Sequence, residues 1–148
     1  MNVESLRWVV DASVGIKLFV NEEFSDTVAR FFYQLVEEPS TEFYVPDLFY
    51  IECANILLKY TRRFGRPLED ALADLMDLNK LTLKSTPSAD LIEDALLLAS
   101  AKNLSAYDAS YAVLAQKLEI PLITADTRLA NSIEWAVWIG DWDEEHSL

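Results

Sequence analysis

Histidine and cysteine are nearly missing from this 148-residue chain, which has one of each. Zinc sites are built mainly from several cysteine and histidine ligands, so this sequence cannot supply such a site. Cys53 lies in an apolar segment and has no partner for an internal disulfide, which predicts a reducing compartment, the cytoplasm. His146 stands in a polar segment near the C-terminus and is a poor candidate for a catalytic base.

Glycine-rich loops and long apolar runs are missing as well. The three glycines, Gly15, Gly65 and Gly140, form no phosphate-binding loop. No apolar run reaches the roughly 18 residues that a membrane span needs, and the N-terminus does not resemble a secretory signal, so no membrane association is expected. Hydrophobic residues make up 51% of the chain, which predicts one compact domain with its own core.

Positive charge is scarce, with 12 lysines and arginines against 25 aspartates and glutamates and a net charge of −13. Such a balance argues against binding of nucleic acid by the whole surface, because phosphates must be neutralised by basic side chains. Half of the basic residues nevertheless fall in one central stretch. They are Lys59, Arg62, Arg63, Arg66, Lys80 and Lys84. A local positive surface on an acidic body is therefore expected.

Short apolar segments alternate with longer helical patterns, which predicts an α/β fold with a mainly parallel, five-stranded sheet. The strands are expected near residues 8–10, 43–45, 81–83, 121–124 and 135–139. The helices are expected near residues 11–20, 25–36, 46–63, 67–79, 89–102, 106–118 and 126–131. Residues 1–140 are expected to form a single domain, followed by an acidic C-terminal tail over residues 141–148.

Four carboxylates stand in apolar surroundings. Asp11 and Asp126 each follow an apolar strand and precede a helix, whereas Glu52 and Asp108 lie inside apolar helices. The carboxyl ends of parallel strands form the crevice where open α/β sheets bind ligands. Burying an isolated carboxylate costs several kcal/mol unless a cation or hydrogen-bond donors compensate it. Magnesium and manganese prefer oxygen ligands, so a carboxylate cluster suits them better than zinc.

Each of these acids also has a structural interpretation. Asp11 and Asp126 stand where helix N-caps are common, because an N-cap carboxylate accepts the free N–H groups of the first turn. Glu52 could pair with an arginine or lie at the protein surface. Asp108 has capping-box spacing from Ser105, with aspartate in place of the usual glutamate.

Four acidic motifs occur along the chain. They are Val9-Val10-Asp11-Ala12-Ser13, Ile51-Glu52-Cys53-Ala54-Asn55, Tyr107-Asp108-Ala109-Ser110-Tyr111 with Leu114-Ala115, and Thr124-Ala125-Asp126-Thr127-Arg128-Leu129-Ala130. In this order they resemble the PIN-domain ribonucleases, and within that family the VapC-type toxins of toxin–antitoxin pairs. The resemblance implies a three-layer α/β/α fold with strand order 3-2-1-4-5 and RNA cleavage that depends on Mg²⁺ or Mn²⁺.

The resemblance implies that Asp11, Glu52, Asp108 and Asp126 hold the metal. In two-metal sites the ions lie roughly 3.5 to 4 Å apart and a carboxylate can bridge them, a role expected here of Asp11. Because bound metal lowers the pKa of water, such a site needs no histidine base.

Supporting roles fall on four more residues by the same resemblance. Ser13 and Thr124 are implied to support the pocket as hydrogen-bond donors, the alternative being an ordinary helix-start serine and strand threonine. Asn55 and Arg128 are implied to contact the scissile phosphate or neighbouring carboxylates.

Lys59 and Arg63 are the candidate RNA-binding residues of the basic stretch. On a helix they lie within about 20° of Glu52 around the axis, and about 10 and 16 Å along it. They could form a path for phosphates that leads away from the acids. The alternative is a solvated helix end whose cations favour the C-terminal dipole.

Partners are implied by the resemblance as well. A cognate antitoxin is expected to cover the site, and an acidic toxin body would complement a basic antitoxin segment. A homodimer is also expected. Candidate interface residues are Phe31, Phe32, Tyr33 and Leu35, with Trp135, Trp138 and Trp142 near the last strand, and a core position is the alternative for each.

Three other functions compete with this interpretation. A haloacid-dehalogenase-like phosphatase also begins with an aspartate after its first strand, but it needs a second acid where this chain has Ser13. A catalytically silent PIN-like binding module would keep the fold without the chemistry. A housekeeping RNA-processing nuclease would share the chemistry but have no antitoxin.

Overall fold

The computed structural model describes the backbone of residues 5–146 and the side chains of residues 5–142. Its strands are β1 (Arg7–Val10), β2 (Glu42–Pro46), β3 (Leu83–Thr86), β4 (Leu122–Thr124) and β5 (Ala136–Trp138). They form one sheet in the order β3-β2-β1-β4-β5, and every neighbouring pair is parallel. The expected five-stranded α/β fold and its strand order are confirmed.

Helices and short 3-10 turns connect the strands. The helices are α1 (Ala12–Gly15), α2 (Ser25–Glu37), α3 (Leu48–Phe64), α4 (Leu68–Leu78), α5 (Ile92–Lys102), α6 (Ala106–Leu118), α7 (Thr127–Ser132) and α8 (Ile139–His146). The 3-10 turns cover Ile16–Leu18 and Ser88–Asp90. None of the helices in the described residues combines the length and apolarity that crossing a membrane requires.

Helices cover both faces of the sheet, which gives three layers. On one face α2 and α8 pack through Phe31, whose ring contacts those of Trp8, Phe43 and Trp142. On the other face lie α5 and α6, and α6 contacts β1, β2 and β4. Seven consecutive residues of α6, from Ala109 to Ala115, are buried, so this helix is surrounded by protein.

The strand order reverses between β1 and β4, which are neighbours in the sheet. Val10 pairs in register with Ile123, so both strands end at the same edge. Asp11 follows β1 directly, and Asp126 follows β4 after one intervening residue. The topology therefore brings these two acids to the crevice where such sheets bind ligands.

The third strand lies further along the chain than expected. The apolar residues 81–83 suggest a strand, but β3 covers Leu83–Thr86 and pairs with β2 from Phe43↔Leu83 onward. An edge strand needs a partner on one side only, and polar side chains on such a strand discourage pairing with other molecules. The following helix also starts late, because the 3-10 turn at Ser88–Asp90 occupies the start of the expected range 89–102.

The expected acidic tail over residues 141–148 is mostly helical, because α8 continues to His146. Its anchor is the buried Trp142, which contacts Phe31 at a centroid distance of 5.3 Å. Burying one large aromatic ring outweighs the acidic composition of this segment. Residues 147–148 and the His146 side chain lie outside the described part of the chain.

Most of the interface candidates from α2 and α8 belong to the core. Phe31, Phe32 and Trp142 are buried, whereas Tyr33 is 55% exposed. Leu35, Trp135 and Trp138 are partly buried and pack against the core. Among these seven candidates, Tyr33 presents the most exposed side chain.

Candidate active site

Asp11 is a buried carboxylate that the fold does not use as a helix cap. It occupies the N-cap position of α1 with extended backbone angles, but its side chain accepts no N–H from the helix. The residue is only 5% exposed. Two hydroxyls bind its Oδ2 instead: Ser13 Oγ and Thr124 Oγ1 each donate a hydrogen bond of 2.7 Å. Among the described residues, none donates a hydrogen bond to the other oxygen, Oδ1.

Ser13 and Thr124 hold both strand ends together. Ser13 Oγ accepts the Ala125 N–H at 3.0 Å, and Thr124 Oγ1 accepts the Asp126 N–H at 3.0 Å. Each hydroxyl oxygen therefore accepts a hydrogen bond from a backbone N–H that follows β4, and each hydroxyl donates a hydrogen bond to Asp11. Both hydroxyls donate to Asp11, and their expected role in supporting a metal pocket stays a prediction.

Glu52 is held by a tyrosine. The Tyr111 hydroxyl, on a fully buried side chain of α6, donates a hydrogen bond of 2.5 Å to Glu52 Oε1. Glu52 lies in the first turns of α3, and no ion pair joins it to any basic residue that the structure describes. An arginine partner, the structural alternative for Glu52, is therefore not the arrangement in this fold.

Asp108 and Asp126 also lie at helix starts. The Asp108 N–H donates to Ser105 Oγ at 3.0 Å, which satisfies one half of a capping box. The Asp108 carboxylate instead faces Arg128, with Oδ2 at 3.9 Å from Nη2. Asp126 is a true N-cap, because Oδ1 accepts the N–H groups of Arg128 and Leu129 at 2.9 and 3.3 Å.

Mutual repulsion links the acids into one site. Burial, together with the charges of Asp108 and Glu52, raises the pKa of the Asp11 carboxyl to about 6, although the hydrogen bonds from Ser13 and Thr124 lower it. Burial also raises the pKa of Glu52, with a contribution from Asp108. Burial and then the charge of Asp126 raise the pKa of Asp108. The pKa values of Asp11, Glu52 and Asp108 are therefore each raised in part by the charge of another acid of the site.

The donor set fits a hard divalent cation. In the residues that the structure describes, no three acidic, histidine or cysteine side chains close on one point as a finished ligand cluster. The donors are nonetheless carboxylate oxygens, which Mg²⁺ and Mn²⁺ prefer, and these ions usually keep several waters of their own. A cation would offset both the burial and the repulsion that raise the pKa values of Asp11, Glu52 and Asp108, and Asp11 Oδ1 accepts no hydrogen bond from a described residue that would compete with it.

A groove of about 460 Å³ opens beside the acids. Ser13 and Asp126 line its inner end, and Lys59 and Arg63 line the wall that α3 provides. Neither cation makes an ion pair with any residue that the structure describes. Asn55 is exposed, makes no side-chain hydrogen bond to a described residue and does not line this groove.

Comparison with known proteins assigns the chain to a family. The model of the PIN domain matches residues 8–132, a range that contains all four acids. This chain belongs to the PIN domain family. Its sequence is 36% identical to ribonuclease VapC3 of Pyrobaculum aerophilum over 130 residues, which cover 85% of this chain and 94% of VapC3.

Solved structures share the PIN domain architecture. The crystal structure of PAE2754 from Pyrobaculum aerophilum has a TM-score of 0.73 at 22% identity, covering 96% of this chain and 90% of that one. A toxin–antitoxin complex from Klebsiella pneumoniae has a TM-score of 0.60 at 18% identity, covering 87% and 94%. At these identities the likeness establishes the fold.

Two residues at the site and groove of this PIN domain have no role predicted from the sequence. Tyr111 binds Glu52, and Lys17 lines the groove in an ion pair of 3.2 Å with Glu22. Tyr111 gave a usable signal, because a tyrosine hydroxyl within an apolar, buried helix needs a hydrogen-bond partner. For Lys17 the sequence offers no such signal, since its pairing with Glu22 depends on how the chain folds back after α1.

Proposed function

We propose that this PIN domain is a metal-dependent endoribonuclease and the toxin of a type II toxin–antitoxin pair. The observation that carries the proposal is the Asp11 carboxylate, which is buried, leaves one oxygen open and is close enough to Asp108 and Glu52 for their charges to raise its pKa. A fold does not gain stability from such a group, so a ligand is the better reason for it. The VapC ribonuclease relative supports RNA as the substrate.

Asp11, Glu52, Asp108 and Asp126 would hold Mg²⁺ or Mn²⁺. The bound metal supplies a water of lowered pKa as nucleophile and stabilises charge on the phosphate oxygens. The protein's own residues prepare the ligands. Ser13 and Thr124 orient Asp11 by filling Oδ2, and Tyr111 fixes one oxygen of Glu52.

RNA would reach the acids along the groove. Lys59 and Arg63 are free to neutralise phosphates in this acidic protein, because no described carboxylate pairs with them. Arg128 is exposed and lies near Asp108, where it could exchange that weak pairing for a phosphate of the substrate. Asn55 would contact the substrate, since its amide makes no hydrogen bond to a residue that the structure describes.

The test is cleavage of single-stranded RNA by the purified protein and by Asp11→Asn. We expect wild type to cleave with Mg²⁺ or Mn²⁺, to stop when EDTA is added and to resume when metal is restored. Asp11→Asn should lose at least about 100-fold in rate, because a metal ligand is removed while the hydroxyl network can remain. A folded wild-type protein without metal-dependent cleavage would identify a silent PIN-like module instead.

Two partners complete the proposal. An antitoxin encoded beside this chain would cover the groove and the acids, and the toxin–antitoxin complex of the same fold supports this expectation. Cleavage without such a neighbour would favour the housekeeping nuclease. We also propose a homodimer in the cytoplasm, formed by the exposed apolar side chains of α5, namely Ile92, Leu96 and Leu97. The mass of the purified protein in solution tests the dimer.

A further inference from the structure

The groove beside the acids has aromatic walls as well as basic ones. Five residues of α3 line it at spacings of three and four, which place them along one side of the helix. They are Ile56, Lys59, Tyr60, Arg63 and Phe64. Apolar or aromatic side chains therefore alternate with cations along a stripe that begins near Glu52, one turn before Ile56.

Phe64 is the exposed end of an aromatic pair. Its side chain is 70% exposed, and its ring lies 5.4 Å from the Tyr60 ring at an interplanar angle of 49°. Tyr60 is fixed from behind, because its hydroxyl donates to Glu22, which also binds Lys17. A single exposed phenylalanine is ordinary on a protein surface, but this ring contacts an anchored tyrosine and lines a groove with Lys59 and Arg63, which pair with no described carboxylate.

We propose that Tyr60 and Phe64 form a subsite that stacks an unpaired nucleobase, while Lys59 and Arg63 hold the phosphates next to it. The inference rests on the proposed endoribonuclease function and names its substrate class, single-stranded or looped RNA. Aromatic rings between cations are the recurring way in which proteins bind single strands, because every base has a face that can stack. The volume of about 460 Å³ lies within the roughly 300 to 1,000 Å³ of ordinary ligand pockets.

Continuity with the acids favours RNA over a protein segment as the occupant. Ser13, Ala125 and Asp126 line the same groove as Phe64. A strand whose phosphate lies at the acids can therefore place a neighbouring nucleotide in the groove. A base inside a duplex keeps its faces stacked on its neighbours, so it cannot enter.

The experiment measures binding of a short single-stranded oligoribonucleotide that carries a fluorescent adenine analogue, quenched when it stacks. Binding is measured in EDTA, so that the strand stays intact. We expect wild type to quench the probe and Phe64→Ala to lose the quenching and bind roughly tenfold more weakly. Phe64→Tyr should restore both. Met76→Ala, which truncates another exposed apolar side chain outside the groove, should behave as wild type.

Separate outcomes distinguish failure of the subsite from failure of the nuclease. If Phe64→Ala binds and quenches like wild type while wild type still cleaves RNA, the subsite is wrong and the endoribonuclease stands. If wild type neither binds nor cleaves, the proposed function fails as well. Equal binding of a fully paired duplex would overturn the subsite. So would a Phe64→Ala variant that binds RNA normally but escapes its antitoxin, because the groove would then belong to the protein partner.

Discussion

Asp11 and Asp126 occupy equivalent places in the chain, yet their carboxylates do different things. Each follows a parallel strand and stands at the N-cap of a short helix. The Asp126 side chain accepts hydrogen bonds from two backbone N–H groups of its helix. The Asp11 side chain accepts hydrogen bonds from two hydroxyl groups and from no N–H group of its helix. The first arrangement stabilises the fold, and the second leaves a buried carboxylate that no basic side chain of the described residues pairs with.

The two aspartates should therefore affect stability in opposite directions. With burial raising its pKa from 3.8 to about 6, the Asp11 carboxyl binds more protons in the native state than in the unfolded state between these pH values. The free energy of unfolding therefore falls as the pH rises through this window. In EDTA at about pH 8 we expect Asp11→Asn to raise it by up to about 3 kcal/mol, and far less at about pH 4.

Asp126→Ala is the matched comparison for that measurement. Loss of a helix cap should lower the free energy of unfolding by about 1 kcal/mol. Urea denaturation at both pH values measures the two variants side by side. A less stable Asp11→Asn protein at about pH 8 would mean that Asp11 serves the fold.

At the scale of elements, α3 carries residues of both the acidic site and the groove. Glu52 lies near its N-terminal end, and Arg63 lies in its last turn beside Gly65, which ends the helix with a φ of 69°. Arg62 is the neighbouring cation on the same helix, about 80° from Glu52 around the axis, and does not line the groove. Arg62 is therefore a matched control for the proposed phosphate path along Lys59 and Arg63.

Reversing the charge of Arg63 should weaken RNA binding more than reversing that of Arg62. We expect Arg63→Glu to bind RNA roughly tenfold more weakly and to reduce the salt dependence of log Kd by about one unit, because one phosphate contact is lost. Both quantities come from titrations at several salt concentrations. Equal effects of Arg62→Glu would mean that only the net charge of the helix end matters.

The sequence predicted elements well where one residue pattern dominates and less well where contacts decide. The helix expected over residues 106–118 begins and ends at those residues, because Ser105 caps its start and Leu118 is the last residue of its apolar pattern. For β3 the apolar residues 81–83 were misleading, because pairing with Phe43 sets the register. At the site, the order of the acids could be predicted, but the Tyr111 hydrogen bond to Glu52 requires two distant helices to meet.

The whole molecule combines a net charge of −13 with one basic groove. On such an acidic molecule, Lys59 and Arg63 make the groove a place where the phosphates of RNA can be neutralised. The same acidic surface would attract a basic antitoxin segment. The net charge therefore opposes non-specific binding of nucleic acid, so that binding would depend on the groove.

The C-terminal helix should be part of the folding unit, although its composition is acidic. We expect Trp142→Ala to lower the free energy of unfolding by about 3 kcal/mol, because a buried ring against Phe31 is removed. Val36→Ala, which trims an exposed side chain of α2, should change it little. Urea denaturation compares the two variants. RNA cleavage per folded molecule should survive in both, since neither residue lines the groove.

The aromatic cluster around Phe31 also provides a spectroscopic signal. Trp8 and Trp142, two of the four tryptophans, are buried against this ring, and neither lines the groove. Emission from indoles in such dry surroundings shifts to the red when the core opens. Intrinsic fluorescence should therefore report unfolding of the protein during additions of metal or RNA without a label near the acids.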